Sequence, residues 1–205
     1  ELAELGMVGL PFPVEYAGGG LGFAEFGIVL EECGRGLVAS PFLSTVLLGG
    51  SAVLLGGTQA QRGDVLPSLC AGARILALAL QEGPHHDPCC SATEARAAGA
   101  GWRIHGEKIF VLDGYVADTL VVVARTSGAA RDRRGLTLFL VPARAPGLRS
   151  SNAVLVDGRR AASLRFESVE VGPGDVLGAP DAGAELLERV LDRALVGLCA
   201  EMLGS

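Results

Sequence analysis

The stretch WRIHGEKIFVLDGYVADTLVVVART, residues 102–126, contains two runs of strand-forming residues with a turn signal between them. The first run ends at Asp113-Gly114, and the second, DTLVVVART at 118–126, is largely apolar. β-Branched and aromatic residues favour strands, whereas Asp and Gly favour turns. The stretch therefore predicts two consecutive strands.

Three further runs on either side have the same character: ILALAL at 75–80, GLTLFLVP at 135–142 and ASLRFESVEV at 162–171. No strand alternates with a complete crossover helix, which disfavours a parallel, doubly wound sheet. We therefore expect an antiparallel β-barrel or sandwich domain at residues 75–178.

Residues 1–74 favour helix. Four apolar residues recur at helical spacing and form one face: Phe26, Val29, Leu30 and Cys33. Thr58 is placed to cap a later helix, and Pro67 indicates that this helix is short or restarts. We expect an N-terminal helical domain here.

Residues 179–205 return to a helical pattern, with Asp181 as the expected N-cap. The expected apolar stripe consists of Leu187, Leu191, Ala194, Leu198 and Met202. A lone amphipathic helix after a β-domain needs a surface to pack on. We interpret it as the first helix of a C-terminal helical bundle, most of which is missing from this sequence. The predicted fold class is α+β.

Composition excludes several classes of function. The net charge is −6, and no basic stripe suited to nucleic acid is present. No uninterrupted apolar run is long enough to predict a membrane span. The five cysteines form no even framework and no signal peptide pattern opens the sequence, so we expect a cytoplasmic protein.

The stretch LALQEGPHHDPCC, residues 78–90, gathers His85, His86, Asp87, Cys89 and Cys90. Zinc sites usually combine spaced ligand pairs, and adjacent cysteines chelate one tetrahedral ion poorly. A polar loop after a buried strand is the preferred interpretation, with no metal predicted. A metal site and a vicinal disulfide remain alternatives.

The order of these features resembles the acyl-CoA dehydrogenase family over essentially the whole chain. The most specific part is 106–125, which is similar to the family pattern G-x-K-x-[WF]-[IV]-[TS]-N-[GA]…A-D…A-R. The matching residues are Gly106, Lys108, Phe110, Val111, Gly114, Ala117, Asp118, Ala124 and Arg125. The resemblance implies an N-terminal helical domain, a middle β-domain and a C-terminal helical bundle.

The resemblance also implies a chemistry. The family oxidises acyl-CoA thioesters by removing an α-proton with a carboxylate and passing the β-hydrogen as hydride to FAD. Its implied cofactor contacts in this chain are Leu80, Gln81, Phe110, Val111 and Leu112.

Two of these positions depart from the family pattern. Gln81 and Leu112 stand where the family has hydroxyl residues that contact the flavin. Each lost hydrogen bond costs about 1 kcal/mol or somewhat more. Because two hydrogen bonds are lost and the loop is reshaped, we expect flavin binding to weaken by roughly one to three orders of magnitude.

The implied substrate contacts are His86, which falls near a family serine, and Arg193. Asp192, just before Arg193, is the one candidate for the catalytic base, with a solvated charge on an amphipathic helix as its alternative. Asp is one methylene shorter than Glu, which matters because a base must reach its proton.

The implied partners are an acyl-CoA substrate, of the fatty acid or steroid side-chain type, and an electron-transferring flavoprotein or similar acceptor. A homo- or hetero-oligomer with a family paralogue is expected. One alternative is a catalytically degenerate subunit of a heteromeric enzyme, an arrangement found in some bacterial members of the family. Another is a non-enzymatic structural or metal-binding module on the same fold.

Overall fold

The computed structural model describes residues 1–156 and 158–205. After a short 3-10 turn at Val14–Tyr16, helix α1 spans Phe23–Arg35. A π-helical segment, Phe42–Gly50, runs directly into α2 at Ser51–Gly56. The N-terminal part is therefore helical, as expected.

Helix α3, Gln59–Cys70, begins at the predicted cap. The Thr58 hydroxyl accepts from the Gln61 N–H at 3.2 Å, and the Gln61 side chain accepts from the Thr58 N–H at 2.8 Å. This reciprocal capping box satisfies two N–H groups that would otherwise lack a partner. The helix continues past Pro67 without a break.

Among the described residues, eight strands form one sheet. They are β1 (Leu76–Ala79), β2 (Glu94–Ala98), β3 (Gly101–Leu112), β4 (Thr119–Arg125), β5 (Leu136–Pro142), β6 (Leu148–Val154), β7 (Arg160–Val171) and β8 (Val176–Leu177). Their order is β6-β7-β3-β2-β4-β5-β8, and β1 also pairs with β4. The pairing is mostly antiparallel, but β4 runs parallel to β1 and, through the Glu94–Arg125 pair, to β2.

The sheet curls around a shared core. β4 illustrates the alternation: Leu120, Val122 and Ala124 face a cluster inside the sheet, while Val121 and Val123 face the helices. Strands from both halves of the sheet contribute to the inner cluster, and the rings of Trp102 on β3 and Phe139 on β5 meet edge to face at 5.7 Å. This agrees with the expected barrel or sandwich type.

Helix α4, Gly183–Gly204, packs on α1 and the π-helical segment rather than standing alone. The backbones approach closely at Gly34 and Gly204, where an added methyl group would overlap the carbonyl oxygens of Glu201 and Glu31. The predicted stripe is only partly buried, since Met202 is 66 % exposed. Leu187 and Ala194 of the stripe are buried, and the buried face also includes Leu186, Val190 and Gly197.

Asp181 does not cap α4, contrary to the prediction. The first residue before the helix is Ala182, and no side chain caps it. The Asp181 carboxylate instead accepts from the hydroxyls of Thr126 and Ser127, both at 2.7 Å. It thereby ties the end of β4 to the start of α4. Within the described part of the chain, no helix is long and apolar enough to cross a membrane.

Candidate functional site

A cleft of about 480 Å³ opens where β1, β3, the π-helical segment and α4 meet. Its walls are mainly apolar. The lining residues are Ser44, Leu48, Leu78, Leu80, Gln81, Gly83, Pro84, His86, Ile109, Phe110, Leu112 and Leu191. Five of the predicted site residues therefore line one cleft: Leu80, Gln81, His86, Phe110 and Leu112.

A local break in β3 explains how the cleft is shaped. The pairing of β3 with β7 shifts between Lys108 and Val111, and Phe110 has a φ of 55°. This turns the Phe110 ring outward, and it is 57 % exposed. Val111 is buried in the inner cluster and does not line the cleft. The side chain of Val111, a predicted cofactor contact, therefore does not face the cleft.

The side chain at Gln81 is bound within its own loop. Its amide nitrogen donates to the carbonyl oxygens of Gly83, at 2.5 Å, and His85, at 2.8 Å. The backbone carbonyl oxygen of Gln81 accepts from the Ile109 N–H at 2.7 Å. Gln81 thus links β3 to the segment at residues 81–93, which we call the cleft loop.

A buried ion pair lies beneath the cleft loop. Lys108 is fully buried, and its ammonium donates to the Glu82 carboxylate at 2.6 Å and the Leu80 carbonyl at 3.1 Å. Glu82 also accepts from the N–H groups of Ala92, at 2.6 Å, and Thr93, at 3.0 Å. These contacts join the two ends of the cleft loop.

The pair shifts both pKa values. Burial alone would raise the pKa of Glu82, but the charge and hydrogen bonds of Lys108 and the bonds from the loop outweigh it and lower the pKa to about 2. Burial lowers the pKa of Lys108 to about 8, and the attraction of Glu82 offsets only part of this effect. Glu82 is therefore firmly ionised at neutral pH.

Arg125 holds the other side of the cleft loop. It is 6 % exposed, and its guanidinium donates only to backbone oxygens. The acceptors belong to Cys89, Ser91, Ser127, Ala130, Asp132 and Arg134. The planar fork of an arginine suits such a set of fixed acceptors. It joins the cleft loop to the turn that follows β4.

Ser44 is a cleft residue that the sequence reasoning missed. Its hydroxyl donates to the Asp113 carboxylate at 2.6 Å, joining the π-helical segment to the turn after β3. Neighbouring Thr45 both donates to the Leu76 carbonyl, at 3.0 Å, and accepts from the Leu76 N–H, at 3.2 Å. The available signal was a Ser-Thr pair inside an otherwise apolar run.

Asp192 lies beside the main cleft rather than in it. It is exposed and lines a neighbouring hollow of about 330 Å³, which shares His86 and Leu191 with the cleft. Arg193 points elsewhere. Its guanidinium stacks 4.6 Å from the centre of the Phe23 ring and donates to Ser51 at 3.2 Å. The structure therefore does not bring Arg193 to the cleft.

The His-Cys cluster of the cleft loop forms no metal-binding arrangement. Across residues 1–156 and 158–205, no group of three or more His, Cys, Asp or Glu side chains could hold a metal ion. All five cysteines are free, Cys89 and Cys90 included. His86 instead contributes to the wall between the two hollows.

A flavin ring fits the cleft in size and polarity. Small-molecule sites are typically mostly apolar and about 300–1,000 Å³ in volume, and the cleft has about 480 Å³ with leucines and the exposed Phe110 ring on its walls. The polar contacts differ from those of the family pattern. Leu112 offers no polar side-chain atom, and the Gln81 amide nitrogen is used within its loop.

Comparison with protein families gives two matches. The model of the acyl-CoA dehydrogenase N-terminal domain matches residues 1–73, and that of the acyl-CoA dehydrogenase middle domain matches residues 85–169.

Individual proteins agree with these matches. The mitochondrial short-chain specific acyl-CoA dehydrogenase of Homo sapiens is 29 % identical over the whole chain, which spans 51 % of that protein. Butyryl-CoA dehydrogenase from Megasphaera elsdenii is 26 % identical, with a TM-score of 0.90 over 99 % of this chain and 55 % of its own. The Tcur3481-Tcur3483 steroid ACAD is 28 % identical, with a TM-score of 0.89 over 98 % and 52 %. The chain spans about half the length of these relatives.

Proposed function

Since the chain belongs to the acyl-CoA dehydrogenase family, we propose that it forms the cofactor-facing part of a dehydrogenase that oxidises acyl-CoA thioesters at the α,β-bond. FAD is the proposed cofactor, and an electron-transferring flavoprotein or similar carrier is the proposed acceptor. The location proposed is cytoplasmic. One observation carries the proposal: five expected cofactor and substrate residues from separate segments line one apolar cleft.

The cleft residues would bind the cofactor by shape and exclusion of water. Leu80 and Phe110 would supply apolar contacts to the ring system, and Gln81 would border it. When bound, FAD supplies the acceptor for the hydride that leaves the β-carbon. The mostly apolar wall keeps water from that position, which strengthens any electrostatic contact inside.

Within this chain, Asp192 is the proposed base that removes the proton from the α-carbon. It lies on the far side of His86 from the cofactor cleft. It can therefore act only on a thioester that extends past His86 into the neighbouring hollow. His86, at the boundary of the two hollows, is proposed to contact the acyl-CoA at that point.

A second proposal is a catalytically degenerate partner in a heteromeric enzyme. Specific observations favour it: Leu112 lacks a hydroxyl, Gln81 is engaged within its loop, and Asp192 is outside the cleft. In that arrangement a paralogous subunit would provide the base and the tighter flavin contacts, and this chain would complete the assembly.

The experiment compares the purified chain alone with the chain co-purified with a family paralogue encoded beside it. Each preparation is titrated with FAD, and the visible flavin absorption is followed after an acyl-CoA is added without oxygen. Stoichiometric flavin that bleaches in the chain alone supports the first proposal. Bound flavin and bleaching only in the pair support the second, and preparations that neither bind FAD nor bleach it on addition of acyl-CoA refute both.

A further inference from the structure

The cleft loop is closed by contacts at its base. Glu82, near the start of the loop, accepts from the N–H groups of Ala92 and Thr93 and from the Ser91 hydroxyl at 2.9 Å, all near its end. A single carboxylate therefore bridges the two ends, and residues 83–90 form a closed loop between them. This is the geometry of a compact surface loop whose ends lie close together.

Lys108 fixes this closure to the sheet. Its side chain comes from β3, is fully buried, and contacts both ends of the loop: the Leu80 carbonyl and Glu82 at one end, and the Ser91 hydroxyl, at 3.3 Å, at the other. The side chain of Glu82 is only 16 % exposed. A buried charge is tolerated when it is paired and hydrogen-bonded, and removing one partner leaves the other uncompensated.

The residues on either side of this pair line the cleft. Leu80 and Gln81 precede Glu82 directly, and Gly83, Pro84 and His86 follow it. The Ile109 N–H, next to Lys108, donates to the Gln81 carbonyl. Any displacement of the pair therefore moves two walls of the cleft, the loop wall and the start of the Ile109–Phe110 wall.

From these contacts we propose that Glu82 and Lys108 are positioning residues, a buried ionic clasp that closes the cleft loop and sets Gln81 and His86 at the cofactor cleft. The clasp takes no part in chemistry. It holds the cleft loop in one conformation before a ligand binds, so that the ligand does not have to order the loop. Its link to FAD rests on the proposed function above, whereas the closure itself does not.

The test uses Glu82→Gln, which keeps the shape and removes the charge. The matched control is Glu94→Gln, since Glu94 pairs with Arg96 at 2.7 Å but both side chains are at least half exposed. Hydrogen exchange is measured for peptides within residues 83–93, and FAD affinity and the midpoint potential of bound flavin are measured for each variant.

In Glu82→Gln we expect exchange within the cleft loop to accelerate at least about tenfold while β4 and β5 exchange as before. FAD affinity should fall at least about tenfold and the flavin potential should shift. Glu94→Gln should match the unmodified chain in every readout. Unchanged exchange in the loop would overturn the clasp, and unchanged FAD affinity and potential would overturn its positioning role.

Two further outcomes are decisive. If exchange rises across the whole chain, Ser91→Ala is the milder variant, since it removes the hydroxyl contacts to Glu82, to Lys108 and to the Thr93 carbonyl and keeps the ion pair. A smaller acceleration confined to the loop then supports the clasp, and unchanged exchange in the loop overturns it. If the unmodified chain binds no FAD with or without a paralogue, the proposed function fails. Hydrogen exchange of the cleft loop in Glu82→Gln then tests the clasp independently of FAD. Faster exchange supports the clasp, and unchanged exchange rejects it.

Discussion

At the scale of single residues, Leu112 is the clearest departure from the family pattern. It lines the cleft with an apolar side chain where a hydroxyl is expected. We predict that Leu112→Thr tightens FAD binding by roughly fivefold, because one added hydrogen bond contributes about 1 kcal/mol. Fluorescence titration with FAD measures the change. The control is Leu148→Thr, a half-buried leucine in β6 that does not line the cleft; equal gains in both variants would contradict the account.

The ion pair predicts a dependence of stability on pH. The folded chain lowers the pKa of Glu82 from its ordinary 4.5 to about 2. A lowered carboxyl pKa stabilises the fold above about pH 4.5, and that stabilisation is lost as the pH falls towards 2. Urea unfolding of the unmodified chain and Glu82→Gln should therefore differ most above pH 4.5 and converge towards pH 2. A difference that stays constant over this range would argue against the assignment.

The cleft could be predicted from sequence only where side chains match a pattern. Leu80, Gln81, Phe110 and Leu112 follow directly from aligned residues. Ser44 does not, because its contact with Asp113 joins positions that are distant in sequence. The position of Arg193 was not predictable for a similar reason. Its neighbour Asp192 lies on another side of α4, and Arg193 contacts Phe23 and Ser51. The roles of these residues in binding and catalysis stay predictions.

At the scale of elements, close packing of α1 and α4 decides the position of the last helix. We predict that Gly34→Ala destabilises the fold by about 1–3 kcal/mol, because its methyl group meets the backbone of Glu201. Gly63→Ala is the control. Gly63 lies in α3 with open space around it, so the same change should stabilise by roughly 0.5–1 kcal/mol. Thermal and urea unfolding measure both, and stabilisation by both variants would show that α4 can shift without cost.

The long apolar elements were predictable and the short or exposed strands were not. β4 and β5 carry continuous buried runs. β6, by contrast, has nearly every side chain exposed and lies at the edge of the sheet, so it shows no alternation. β2 is largely alanine, and β8 has two residues. Their pairing is set by neighbouring strands. The parallel pairing of β1 with β4 is likewise a property of chain topology that local pattern does not contain.

At the scale of the whole molecule, α4 presents an apolar stripe to solvent. It comprises Leu195, Val196, Cys199, Met202 and Leu203. Large exposed apolar patches promote association. We predict that the chain self-associates with rising concentration and that Val196→Glu shifts it towards monomer. Val14→Glu is the control, since Val14 is also exposed but lies on a separate 3-10 turn. Sedimentation velocity over a concentration series measures this, and equal effects of both variants would point to net charge alone.

The expected division at residues 74 and 178 stays a prediction at this scale. The helical and sheet parts share a large core: leucines of β1 and β5 pack with α1, α3 and α4 in one cluster. The final helix was expected to need a packing surface from a further helical region, either missing from this sequence or supplied by another chain. That surface turned out to include α1, because the chain returns to its own N-terminal region, a long-range contact that periodicity alone does not reveal.

The burial of Lys108 has a practical consequence, because it is the only lysine in the chain. An amine-reactive dye or surface linker applied to the folded chain would find the α-amino group and no lysine side chain. Such coupling would attach every molecule at one point and in one orientation. Unfolding would uncover a second amine, so the number of labels per molecule would itself report how much of a preparation is folded.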